Sequence, residues 1–524
     1  MGYWYVAPPA LFILWRSTMK RDVTIILGIS LLFVMLTHRS VAQQATSGSL
    51  RSYTEARRVL DAGIAALGGR EALQKVADLS LKWKGTNYAR NQSESPDAAY
   101  FRSDVEGSML FDTKSNRVVF EQSSTLPGFK FHGRQIIKDD KGFLLDLEAK
   151  TITPLTNPNF IPNVTRSRIP HTLLLTALER ATTLRSLGQE DYDGKKQNVI
   201  VFATPDGTEL TLYFNAQTNL LSKYENLDTD ALVGDITQEF IFPDYRSVGE
   251  VKIPTERIIK RGGEVIQDIT YTDAQLNTHP AESVFEKPTG FEEFPATTPT
   301  PTVTELAKDV YLLQDIANGY NVLFVAFKDH ILVVEAPISS ATSQKAISKI
   351  KETVPNKPIK YLVLTHYHDD HAGGARSYVA EGATLVTTPG NKGYFEKMAQ
   401  ATRTIDPDAL SKNPRPPVIE TVQNKKRVFS DDQHTVELYD IGPGPHTKEM
   451  LIVYLPKEKI LFQGDLLILP SDSKVITPGN EVTAHFAEKL KELGLNVERI
   501  AAVHGRTATI AELQTSLEKM SAKK

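Results

Sequence analysis

The chain has no cysteine among its 524 residues. That absence excludes disulfides, thiolate metal ligands, cysteine nucleophiles and a lipid-modified cysteine anchor in one step. Any metal must then be held by histidine and carboxylate. A strong charge imbalance is missing too: 60 basic residues face 63 acidic ones, for a formal net charge of −3. Electrostatics therefore offers no footprint for nucleic acid or for an anionic membrane surface. Membrane-length apolar runs are also lacking. The run near the start, residues 23–36, falls short of the roughly 20 residues that a span needs. What is present is ordinary for a globular protein, with 41% hydrophobic and 23% charged residues. The length exceeds one usual core, so two domains after a processed leader are expected.

The leader reads as an export signal. Met19-Lys20-Arg21 is followed by the apolar run, and Ser40-Val41-Ala42 supplies small residues ahead of Gln43. A charged start, an apolar middle and a small-residue site make a secretory signal peptide, with cleavage expected after Ala42. Met19 is then the functional start, and residues 1–18 are a mis-assigned start or an extra leader. An uncleaved anchor is the alternative. The expected location is a bacterial periplasm or the exterior, where a cysteine-free chain folds without disulfides, with no stable membrane span after cleavage.

Residues 53–74 read as two short helices, with Leu60, Ile64, Leu67 and Leu73 on one face and a break at Gly68-Gly69. From residue 76 to 291 the pattern is of short alternating strands. Leu79-Ser80-Leu81-Lys82-Trp83 and Glu209-Leu210-Thr211-Leu212-Tyr213-Phe214 are examples, with turns at Pro205-Asp206-Gly207 and Arg261-Gly262-Gly263. One helix, about 172–187, interrupts them. Sequons at Asn91 and Asn163 carry little meaning in a bacterial chain. Ala66-Leu67-Gly68-Gly69, Phe242-Pro243-Asp244-Tyr245, Lys252-Ile253-Pro254 and Phe285-Glu286-Lys287-Pro288 resemble the outer-membrane lipoprotein-carrier fold over residues 53–292. The resemblance implies a curved antiparallel β half-barrel closed by helices, whose concavity holds acyl chains in that family. A sheet that only packs against its neighbour is the plainer reading. No cluster of titratable residues stands out there. Residues 293–304, with Pro295, Pro299 and Pro301, have linker composition.

From residue 305 the pattern becomes strand, helix, strand: 321–327, 331–334, a helix at 340–354, a strand at 359–364, a helix at 375–381 and a strand at 384–387. At the end of one apolar strand comes Thr365-His366-Tyr367-His368-Asp369-Asp370-His371. The pair His366 and His368 can turn two imidazoles onto one ion, while Asp370 and His371 point at a neighbouring position. Four ligands are too many for one catalytic ion that keeps an open site. Two ions about 3.5–4 Å apart use them all. Three further candidates stand at strand ends or in a Gly/Pro loop: His446, Asp465 and His504. Taken singly, each also reads as a cap or a turn residue.

Together, in this order, these segments resemble the metallo-β-lactamase fold superfamily over residues 305–524. The resemblance implies an αββα sandwich, making the whole chain an α+β two-domain protein. It also implies one metal site of His366, His368 and His446, a second of Asp370, His371 and His504, and Asp465 bridging them. Two zinc ions are expected, with iron or manganese compatible with the same ligands. The best-known lactam-hydrolysing members have Cys or Ser where Asp465 stands; the glyoxalase II-like hydrolases and the lactonases have Asp. Glu335 stands where Asp usually ends the strand and is expected to support the metal loop. Only 20 residues follow His504, too few for the helical glutathione domain of glyoxalase II.

The activity implied is metal-assisted hydrolysis of an ester, lactone, thioester or amide, with a metal-activated water oriented by Asp370 as the catalytic residue. The expected partner is a small molecule, acyl-bearing compounds included, and not a nucleic acid. An iron-dependent oxidoreductase of sulfur compounds, and a lipid-binding envelope protein with a purely structural metal domain, are the alternatives. Residues 389–424 read as an irregular insertion, a lid or substrate wall, with Asn391 and Tyr394 as substrate contacts. Tyr367 is expected to pack. His434 and His485 are expected at the surface, His330 in a hairpin turn, and His132 and His171 without clustered partners.

Overall fold

The structure is a computed structural model that describes residues 47–522, apart from 127, 128, 159, 296–299, 318, 472 and 473. The expected signal segment and its cleavage site lie outside the described residues, as does the middle of the 293–304 stretch. Among the described residues no helix is long and apolar enough to cross a membrane.

The fold is mixed α and β, with three large sheets. The first has fourteen strands and is open: its edge strands, Glu292–Glu293 and Arg185–Tyr192, do not pair with each other. Its pairings are antiparallel, except that Glu292–Glu293 joins Thr151–Pro154 in parallel. The alternation of Leu79, Leu81 and Trp83 with polar residues puts one strand face into the core. The helices Gly48–Ala66 and Pro170–Glu179 cover that face, burying Ala56, Leu60, Leu173 and Leu174 against Ile200, Leu212 and Phe214. The helix expected at 172–187 is shorter. Pro170, which lacks the N–H that a first turn leaves unpaired, starts it, and Arg185–Tyr192 has become an edge strand.

The second and third sheets stack on each other. The second runs through Thr302–Ala307, Val310–Ala317, Tyr320–Ala326, Ile331–Val334, Ile359–Val363, Thr384–Thr387 and Ile419–Thr421. The third has six strands, between Lys426–Ser430 and Ala508–Thr509. Both faces of their central strands are buried, which is why Ile331–Val334 and Leu451–Leu455 read as unbroken apolar runs. Val325, Leu332, Val363, Leu438, Val453 and Phe462 fill the space between the sheets. The helices Ser340–Thr353 and Ala375–Glu381 cover one outer face and Glu481–Glu492 the other. The order is helix, sheet, sheet, helix.

The fourteen-stranded sheet reaches into this sandwich. The turn between Leu221–Asp230 and Gly234–Ile241 inserts Leu232, fully buried among Leu313, Phe324, Phe395 and Met398. The insertion at 389–424, expected as an irregular lid or substrate wall, clamps that turn. Arg403 donates to the carbonyls of Asp230 (2.7 Å) and Ala231, and the backbone N–H and hydroxyl of Thr404 both bond Asp235. The clamp is fixed from behind by Arg376, which donates to the carbonyls of Met398, Ala399 and Ala401 at the end of the helix Lys392–Gln400 and pairs with Asp408 at 2.6 Å.

Burial works against the Asp408 carboxylate, but Arg376 and Ser411 outweigh it and hold its pKa down at about 2, against an ordinary 3.8. Such a group contributes stability above its unfolded pKa, and that contribution is lost as pH falls through the folded value. Asp408→Asn is expected to lower the unfolding free energy at pH 7 by roughly 3 kcal/mol, because it strands a buried guanidinium. Urea titration at pH 7 and at pH 3 checks this: the difference between variant and wild type should shrink at the lower pH.

Candidate metal centre

The strand Ile359–Val363 delivers Thr365 and His366 into the interior, and a four-residue turn of helix, Asp369–Ala372, carries Asp370 and His371. His446 lies in the Gly/Pro loop before Leu451–Leu455, Asp465 follows Ile460–Gln463, and His504 follows Arg499–Ala502. All of these segments end at one edge of the stacked sheets. Gly464 permits the approach of two of them: a Cβ there would lie 2.9 Å from Thr365 Oγ1.

All seven candidates meet there, in two groups that share Asp465. His366, His368, His446 and Asp465 form one; Asp370, His371, Asp465 and His504 form the other; in each, the candidate ligand atoms lie within 4.8 Å of one another. Asp465 Oδ2 is 3.0 Å from His446 Nε2, 3.1 Å from His371 Nε2 and 3.6 Å from His366 Nε2. Its Oδ1 is 3.0 Å from His504 Nε2. Asp370 Oδ2 lies 3.2 Å from His504 Nε2 and 3.5 Å from His371 Nε2. His366, His368 and His371 are buried, whereas His446, Asp370 and His504 keep side-chain exposures of 25%, 23% and 19%. The cluster opens to solvent on the side where these three lie.

Burial, reinforced by the neighbouring imidazoles, pushes His366 well below the usual histidine range and His368 down to about 4. Neutral imidazoles are what metal ligation requires. Burial disfavours charge on Asp370 and Asp465, yet the facing histidines hold both carboxyls well below their ordinary value. His371 goes the other way: Asp465 and Glu335 outweigh burial and raise it. The arrangement fits cations. His368 Nδ1 is buried and without a hydrogen-bond partner, while its Nε2 donates to the Ser93 carbonyl at 2.8 Å. Its proton is thus held on the far nitrogen, leaving a lone pair in the cluster.

Glu335 sits behind the cluster, fully buried and at φ 78°, a left-handed conformation rare for a residue with a side chain. Its Oε1 accepts from the Thr365 N–H at 3.1 Å, and its Oε2 lies 3.3 Å from His371 Nδ1. It supports the metal loop from below.

Sequence reasoning missed one contribution. The loop after the strand Asp78–Ala89, in the fourteen-stranded sheet, enters this site. Gln92 Nε2 donates to Asp369 Oδ1 and to Asp370 Oδ1, both at 2.8 Å. The Ser93 carbonyl accepts from the Tyr367 hydroxyl, 2.8 Å, as well as from His368. The Glu94 carbonyl accepts from the Lys448 N–H at 2.7 Å. The region between residues 53 and 292 is therefore not without polar groups at the site. Its only written signal was the polar stretch Arg90-Asn91-Gln92-Ser93-Glu94, noticed as a sequon. Tyr320 was missed too; its hydroxyl is 3.5 Å from Asp370 Oδ2, and its ring lies edge-on to His504.

The remaining candidates are not part of the cluster. Tyr367 packs, 2% exposed, against Tyr394 and His368. Asn391 is buried ahead of the helix Lys392–Gln400, and the Tyr394 hydroxyl lies 3.5 Å from Asn91 Oδ1, so both belong to the packed junction. His434 is buried rather than at the surface, because its ring meets the Phe327 ring edge-on, centroids 6.1 Å apart. His485 is half-buried against Gly444. His330 pairs with Asp329, and His132 with Glu121. His171 is buried between helix and sheet, and burial lowers it to about 4.

Residues 315–504 match the family described as the metallo-beta-lactamase superfamily. The C-terminal region therefore carries a domain of that mostly hydrolytic, metal-binding superfamily. A curated relative, metallo-beta-lactamase type 2 of Elizabethkingia meningoseptica, is 27% identical over 192 residues, 36% of this chain and 70% of that protein. Among solved structures, a metallo-beta-lactamase from Pontibacter korlensis aligns with 42% of this chain and 99% of its own, at 21% identity and a TM-score of 0.32. The stereoselective inverting sec-alkylsulfatase Pisa1 from a Pseudomonas species aligns over 41% of each chain, at 15% identity and a TM-score of 0.31.

Glu335→Gln keeps the acceptor for Thr365 and removes the charge facing His371. Chelator competition should show metal affinity lowered roughly 10–100-fold, the usual effect of losing a group that orients a ligand.

Proposed function

We propose that the protein is an exported, dinuclear zinc hydrolase acting on an ester, lactone, thioester or amide bond. The observation that carries this is the position of Asp465. One carboxylate stands within 3.0–3.1 Å of histidines from both groups, as a residue shared by two ions would. His366, His368 and His446 would hold one ion; Asp370, His371 and His504 the other. When bound, such a pair supplies a water of lowered pKa and polarises the scissile carbonyl. The chain does the rest. Asp370, part-exposed at the open edge, is placed to accept a hydrogen bond from the attacking water and orient it. The Tyr320 hydroxyl is beside it to bind the substrate's polar group. Carboxylate at position 465, rather than Cys or Ser, favours the broader hydrolase range over lactam specialisation, although the 27% identical relative is a beta-lactamase by name.

Metal analysis of protein purified without added metal, followed by a panel of chromogenic lactones, thioesters, esters, lactams and phosphodiesters, tests the reading. Two zinc ions per chain are expected, with hydrolysis on at least one carbonyl substrate. Asp465→Ala should lower kcat/KM by at least about 10³-fold, since it removes a group that positions both ions. One iron per chain and no zinc would replace this reading with an iron oxidoreductase. Unchanged activity in His368→Ala would make the metal domain structural only.

A further inference from the structure

Resting on the dinuclear reading, we propose that Gln92, supplied by the fourteen-stranded sheet, is the positioning residue that aims Asp370 at the second metal group. A single amide nitrogen donates to Asp369 and Asp370 at once, at 2.8 Å each. Two adjacent carboxylates can share a neutral donor without gaining a charge that would compete with a cation. The bond occupies Oδ1 of Asp370. It leaves Oδ2 facing His504 Nε2 at 3.2 Å and His371 Nε2 at 3.5 Å, on the side where the second ion would sit. Without this donor only the Oδ2 contacts to His504, His371 and Tyr320 restrain the carboxylate about its χ2 bond, a broad torsion with no strong preferred setting.

Gln92 is itself held firmly. Next to it, the Ser93 carbonyl is bonded to both Tyr367 and His368. Two residues before it, Arg90 pairs with Asp230, whose own carbonyl is gripped by Arg403. Two residues after it, Glu94 is tied to Lys448 through the backbone and through a 2.6 Å ion pair. The amide therefore reaches the metal loop from a fixed platform on another sheet. Its effect should be local to one group: it touches Asp370, and none of His366, His446 or Asp465 is among its partners.

The test uses the full chain and measures Zn2+ affinity by chelator competition, not turnover. Two backgrounds isolate the groups: His504→Ala retains the His366/His368/His446 group, and His446→Ala retains the Asp370/His371/His504 group. Adding Gln92→Ala should weaken the ion in the His446→Ala background roughly 10–100-fold. In the His504→Ala background the change should stay below about threefold. Gln92→Met, which keeps the bulk and loses the donor, should match Gln92→Ala and guard against a collapsed loop. Lys196→Ala, which removes only an exposed pair with Asp191 on the Arg185–Tyr192 edge strand, should leave both affinities as they are. Equal weakening in both backgrounds, or none in either, would overturn the proposal. Wild-type protein that binds fewer than two ions would overturn the dinuclear reading, and this proposal with it.

Discussion

Everything at the site depends on one carboxylate being buried among imidazoles. Asp465 has been moved out of water to a place where His371, His446 and His504 each approach it within 3.1 Å. Removing a carboxylate from water is costly unless positive charge compensates. Here the compensation falls on His371 and His504, which the facing carboxylates raise, His504 to about 8, while burial keeps His366 and His368 low. Two raised imidazoles can balance two carboxylates, but the buried His368 Nδ1 still turns an unpartnered lone pair inward. A divalent cation would satisfy that lone pair and the carboxylates together. Two carboxylates among inward-facing imidazoles form a donor set that fits cations.

The surrounding architecture serves to hold those groups still. Each is placed at the end of a buried strand or on a turn packed against one, so backbone hydrogen bonds fix its origin. Strain is accepted where it helps: Glu335 takes a left-handed backbone conformation, and in return its carboxylate reaches both Thr365 and His371. The junction with the fourteen-stranded sheet is part of the same scaffold. Leu232 is buried in the core of the sandwich, and Arg376, Arg403 and Asp408 brace the turn that carries it. The site therefore draws on three sheets rather than two.

The histidine-rich stretch was legible because its chemistry is written in six consecutive residues. His446, Asp465 and His504 were legible because each is a lone polar group ending an apolar run, and buried strands make such endings visible. The helix and strand at 375–381 and 384–387 agree with Ala375–Glu381 and Thr384–Thr387, since Gly382 stops the one and full burial marks the other. What could not be read was long-range. Nothing in Arg90-Asn91-Gln92-Ser93 announces a partner some 275 residues away. The residues 389–424 looked irregular because their order comes from Arg376 and the Asp230 turn, not from local periodicity. His434 looked exposed because it stands beside Asp431-Asp432, but Phe327 covers it.

The contacts made by residues 92 and 93 differ in kind, and the difference matters for how such a site can change. Ser93 acts through its backbone carbonyl. Any residue at that position can present the same oxygen to His368, so the tautomer is set by how the sheets dock rather than by side-chain identity. Gln92 acts through its side chain, and a single substitution removes the donor. The His368 contact is thus built into the fold, whereas the Gln92 contact to Asp370 is one that a single substitution removes. Of the part-exposed groups His446, Asp370 and His504, the last two belong to the set that this contact touches. Changes at position 92 would therefore act where substrate must enter, while the buried histidines behind it stay as the strands place them.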